Sequence, residues 1–99
     1  MFLASLGDTV IAKSKDCLII ENNVYFPEND VITEYLFQTE TLTRCPWKGM
    51  ATYFDIKIME NLVNDGAWSY LRPKSKAKRI KGHVAFWKEI VVKELQANQ

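Results

Sequence analysis

Apolar and polar residues alternate along this chain in short runs, and most of those runs read as strands. The clearest is Ala51 to Ile58: Thr52, Phe54, Ile56 and Ile58 point one way, Ala51, Tyr53, Asp55 and Lys57 the other. Phe2 to Leu6 and Thr9 to Lys13 flank Gly7-Asp8, a two-residue hairpin turn in which glycine accepts positive φ. Cys17 to Glu21 is a compact apolar run, Asn22-Asn23 turns the chain, and Val24-Tyr25-Phe26 returns until Pro27 ends the strand by lacking an N–H. Val31 to Gln38 is rich in β-branched and aromatic residues suited to a pleated surface. The polar run Thr39 to Arg44 reads as a loop.

Beyond Ile58, Glu60-Asn61 reads as a second hairpin turn, and Asn64-Asp65-Gly66 as a break before Ala67 to Tyr70. Pro73 stops that strand. Lys74 to Lys81 is the one helical piece: Ala77, Ile80 and Val84 form an apolar stripe, Pro73 suits its start and Gly82 its end. Ile90 to Leu95 is a final strand. Roughly seven or eight short strands with one short helix near the C-terminal third predict a mainly β fold, antiparallel strands in a small barrel or sandwich. Crossover helices for a doubly wound sheet are lacking.

The chain has 99 residues, 47% hydrophobic and 25% charged, which fits one ordinary globular domain over 1–99. No apolar run approaches the ~20 residues of a membrane span, and the first residues lack a signal-peptide pattern, so the cytoplasm is the expected location and no membrane partner is expected. Cys17 and Cys45 cannot build a disulfide framework, and with the single His83 they fall short of a four-ligand zinc set, so no metal and no cofactor are expected. Cys17 reads as a small buried apolar residue.

Charge changes the picture more. The net charge is +1, but residues 66–88 carry Arg72, Lys74, Lys76, Lys78, Arg79, Lys81 and Lys88 and no acid, while the acidic side chains concentrate before them. Such asymmetry can mark an anion-binding face. It can equally be a solvated helix face, with lysines surrounding an apolar stripe.

The densest chemistry lies in Thr43-Arg44-Cys45-Pro46-Trp47-Lys48-Gly49-Met50-Ala51-Thr52-Tyr53. Proline holds Cys45 extended, Gly49 lets the chain turn, and Lys48 sits beside the bend. A lysine near a thiol favours the reactive thiolate, and a catalytic thiol also needs a base, for which His83 is the sole histidine. Tyr53 and Asp55 share one strand face and, with Lys48, offer a phenol, an acceptor and a cation around one volume, with Trp68 as a stacking wall. The structural alternative makes Cys45 a small buried residue, Trp47 a core anchor, Lys48 a solvated turn tip and His83 an ordinary surface or core histidine.

Four segments together, Tyr25 to Val31, Cys45 to Phe54, Ala67 to Tyr70 and Ile80 to Trp87, resemble one family in order and spacing. It is domain-of-unknown-function family 427, often labelled nucleotidyltransferase-like. The resemblance implies a compact, mostly antiparallel β domain of about this length and supplies no mechanism. The Asp-x-Asp and Gly-Ser patterns of nucleotidyl transfer are absent from the chain.

The function expected is binding of a small polar or anionic ligand by Cys45, Lys48, Tyr53, Asp55, Trp68 and His83. No catalytic residue is assigned. Nucleic-acid or phosphate-backbone binding through residues 72–81 is the alternative, and a non-catalytic interaction module or homodimer a further one.

Overall fold

The computed structural model describes residues 1–96, and its strands are all antiparallel. β1 (Phe2–Leu6) and β2 (Thr9–Ser14) form the expected hairpin, with Gly7 at φ 57° in its turn. The other edge of β1 pairs with β9 (Val91–Glu94), giving the order β2-β1-β9. β3 (Leu18–Ile20) and β4 (Asn23–Tyr25) form a separate hairpin. β5 (Leu36–Cys45), β6 (Gly49–Ile58), β7 (Asn61–Ser69) and β8 (Val84–Phe86) form a four-stranded sheet in sequence order. Phe26 and Val84 exchange two backbone hydrogen bonds of 2.8 Å, which tie the β3–β4 hairpin to β8.

The sheets stay open, so the fold is sandwich-like rather than a barrel. One core cluster joins the first sheet (Ala4, Ile11, Ala12) to one face of the four-stranded sheet through Ile56, Ile58, Val63, Ala67, Val84 and Phe86. The opposite face carries a second cluster of Ile20, Tyr25, Ala51, Trp68, Tyr70, Ala77, Ile80 and Ala85. Alternation decides the sorting: Ala67 goes to the first cluster and Trp68 to the second, and Ala85 faces away from Val84 and Phe86.

Several expected boundaries move, each for a physical reason. The turn of the β3–β4 hairpin is Glu21-Asn22, with φ 53° and 65°, not Asn22-Asn23. Likewise Met59-Glu60 replaces Glu60-Asn61, with Met59 at φ 55°. A one-residue slip would turn the second strand's buried set outward, so burial of Tyr25 and of Val63 fixes both registers. Thr39 to Arg44 is not a loop but the middle of β5, an edge strand whose threonines supply β-branched side chains. Val31 to Gln38 is not one strand. Val31 bridges Ala12, then a single 3-10 turn at Thr33–Tyr35 carries the chain from the first sheet to the four-stranded one.

Asn64-Asp65-Gly66 does not end a strand but forms a bulge inside β7, where the register shifts and Asp65 takes φ 50°. A side chain at Gly66 would stand 2.7 Å from Val63 Cγ1, so the bulge requires glycine there. The expected helix Lys74 to Lys81 is a 3-10 segment, Ser75–Ile80, kinked at Ala77. Its buried residues are Ala77 and Ile80, three apart, a spacing that suits three residues per turn as well as it suits an α-helix.

Candidate functional site

The Cys45–Gly49 turn is strapped from outside. Lys74 N–H donates to the Lys48 carbonyl at 2.9 Å, and Lys74 Nζ donates to the Pro46 carbonyl at 2.7 Å. Gly49, at φ 113°, backs onto the Arg72 carbonyl and Lys74 N–H. Pinned this way, the turn reverses what residue type suggests. Lys48 is buried at 5% exposure and Trp47 is exposed at 37%.

Inside, Lys48 meets aromatic rings. A cavity of about 260 Å³ is lined by Asn23, Tyr25, Lys48, Tyr53, Trp68, Tyr70 and Trp87. Trp68 is its centre: it lies edge-on to Tyr25 at 6.3 Å and to Trp87 at 5.6 Å, and tilted against Tyr53 at 6.4 Å. Trp68 Nε1–H donates to Tyr25 Oη at 3.3 Å. Lys48 Nζ stands 5.7 Å from the Tyr70 ring centre and 5.0 Å from that of Trp47, both within cation–π reach.

The Lys48 ammonium pairs with Glu21 Oε1, and Trp47 Nε1–H donates to Glu21 Oε2 at 3.4 Å. Lys48 and Trp47 hydrogen bonds hold the Glu21 carboxyl below its ordinary range. Burial pulls the Lys48 ammonium down, but the Glu21 bond and the Tyr70 and Tyr25 phenols outweigh it and hold it above its ordinary value. Burial pushes the Tyr70 phenol up to about 12 against the pull of Lys48, so it remains a proton donor at neutral pH.

Of the residues predicted from sequence, Lys48, Tyr53 and Trp68 therefore share one cavity. Cys45 is not among the lining residues; it is part-buried against the second core cluster. Burial pushes its thiol up, yet the backbone N–H groups of Lys48 and Trp47 and the nearby ammonium bring it below the ordinary thiol value. Asp55 lies elsewhere: its carboxylate accepts the Asp65 N–H at 2.8 Å and holds the β6–β7 bulge. His83 also stands outside the cavity lining, with Nδ1 3.2 Å from the Lys81 carbonyl.

Glu21, Tyr25, Tyr70 and Trp87 complete the arrangement without having been singled out from sequence. Tyr70 was legible, since it lies two residues from Trp68 on one strand face. Glu21 and Tyr25 carry no local signal, because their hairpin reaches the site only through the tertiary fold.

Residues 2–97 match the family model described as "Domain of unknown function (DUF427)". The chain belongs to this family. No curated protein matches it. All four segments that carry the resemblance meet at the cavity of this DUF427 domain, through Tyr25, Lys48, Tyr53, Trp68, Tyr70 and Trp87. Among the described residues, no group of three or more His, Cys, Asp or Glu side chains is placed to hold a metal ion. No helix among them is long and apolar enough to cross a membrane.

Proposed function

We propose that the protein binds a small polar or anionic ligand in the aromatic cavity at Lys48. The observation that supports this most is a lysine side chain at 6% exposure beside the Tyr25 and Tyr70 phenols in an open cavity. Burying an ammonium costs solvation, and a well-packed apolar residue at such a position is often no worse for stability. A buried cation whose partner is a half-exposed carboxylate beside an open cavity fits recognition better than scaffolding. The cavity, about 260 Å³, suits a compact ligand rather than a drug-sized one. A thermal-shift screen of small metabolites should find a stabilising compound, and Lys48→Met should abolish its effect. The exposed Glu21 carboxylate left behind resolvates, so that substitution itself should move Tm by no more than about 5 °C. Retained stabilisation in Lys48→Met would place the ligand elsewhere.

One observation favours binding to a phosphate backbone as a second reading. Exposed Trp47 lies beside Lys74, Ser75 and Lys76 around a groove of about 290 Å³, a stacking ring among cations. Affinity for a single strand that falls steeply with salt and drops in Trp47→Ala would support it; salt-independent binding would not.

A further inference from the structure

The contact between Glu21 and Lys48 gives the cavity a ligand class, an inference that rests on the binding reading above. Two donors, Lys48 Nζ and Trp47 Nε1, converge on the two oxygens of one carboxylate. Paired donors on paired oxygens are how proteins recognise a carboxylate. Here the carboxylate comes from the protein's own chain, on a side chain 55% exposed. It is carried by a turn whose two residues both have positive φ, a conformation that favours Asn, Asp and Gly over Glu. Glu21 is therefore held mainly by its pair with Lys48, with Trp47 Nε1 a longer contact at 3.4 Å.

The cavity behind that contact lacks a carboxylate among its lining residues. Tyr70 Oη has no protein hydrogen-bond partner among the described residues, and Tyr25 Oη, which accepts from Trp68, keeps its own proton to donate. The rings of Tyr53, Trp68 and Trp87, with Asn23, form the remaining walls. Lys48 stands 5.7 Å from the Tyr70 ring centre, while Tyr53, Trp68 and Trp87 pack against one another.

We propose that the cavity takes a flat aromatic carboxylate, whose carboxylate displaces that of Glu21 from Lys48 while its ring lies among Tyr53, Trp68 and Trp87. Glu21 is the internal occupant of the anion position, and the ligand competes with it. The open form of the site has Glu21 turned to solvent, which its exposed turn permits without moving a strand.

Isothermal titration calorimetry with four probes tests this. Benzoate has both ring and charge, benzamide the ring alone, cyclohexanecarboxylate the charge alone, and phenyltrimethylammonium the opposite charge. Benzoate should bind the unmodified protein best. Glu21→Gln should tighten benzoate on the order of tenfold, the scale of one charge-assisted hydrogen bond released from competition. Lys48→Met should weaken it by at least as much. Unchanged or weaker benzoate binding in a folded Glu21→Gln protein overturns the displacement. Benzamide or phenyltrimethylammonium binding better than benzoate, with loss in Lys48→Met, overturns the carboxylate class while leaving the cavity as the binding site. Failure of all four probes on both proteins overturns the inference, and the metabolite screen then decides the binding reading separately.

Discussion

At the scale of single residues, position in the turn outweighs residue type. Local reasoning sends Trp47 inward and Lys48 outward; the structure does the reverse because Lys74 straps the turn and Glu21 neutralises the ammonium. The same turn differentiates the thiols. Cys45 lies below the ordinary thiol value, whereas burial raises Cys17 despite its contact with Ser14. Native alkylation followed by mass spectrometry should therefore label Cys45 first; equal rates would show that access, not acidity, governs both. The ion pair also has a pH window. Glu21 is lowered from 4.5, so its contribution is present above that pH and fades as pH falls through its lowered value. Lys48 is raised from 10.5, so its contribution is present below that pH and fades as pH rises through its raised value. Comparing Tm of the unmodified protein and Glu21→Gln across pH should show a gap that is constant between these limits and closes on the acid side. A gap that persists at low pH would mean the glutamate acts through packing instead of charge.

At the scale of elements, the sequence made β1, β2 and β6 legible, because each alternates or sits beside a strong turn, and β9 legible only as an apolar run. It hid β8, whose three residues are all buried and so show no alternation. It also hid the centre of β5, where an edge strand can be polar on both faces and still be a strand. Thr39 and Thr41 there donate to the two oxygens of Asp65 at 2.7 Å each, joining β5 to the bulge across β6. Those two hydroxyls hold the Asp65 carboxyl below its ordinary range. The bulge in turn supplies the Asp65 carbonyl that accepts Trp87 Nε1–H, so a cavity wall depends on it. Gly66→Ala would press a methyl against Val63, 2.7 Å from its Cγ1, in a packed core. Chemical denaturation should report a loss of about 1–3 kcal/mol. A neutral result would mean Val63 can turn away, and the bulge is more pliant than its packing suggests.

For the whole molecule, the first and last strands are partners: β1 pairs with β9 from Phe2↔Glu94 to Ser5↔Val91. Ile90 and Val92 carry that pairing into the first core cluster. Folding must therefore close the longest loop in the chain before this sheet is complete. Val92→Asp places a charge against that cluster and should cost about 2–3 kcal/mol in denaturant melts, with the aromatic side of the sheet lost in the same transition. Two separated transitions would show that the clusters on opposite faces fold independently. How the halves meet was not legible in the sequence, because β9 shows only an apolar run and nothing local names its partner.

The chain contains three tryptophans, and all stand at or beside one cavity: Trp68 and Trp87 as walls, Trp47 through its bond to Glu21. The rest of the molecule is dark at indole wavelengths. Its intrinsic emission is thus a spectrum of this one place, and the edge-on Trp68–Trp87 pair, 5.6 Å apart, is close enough for their excited states to mix. An optical signal taken from the unmodified protein watches the cavity and not the sheet as a whole. Unfolding followed by fluorescence reports the aromatic face opening, and its midpoint should coincide with that of the backbone signal, since both sides are lost in one transition.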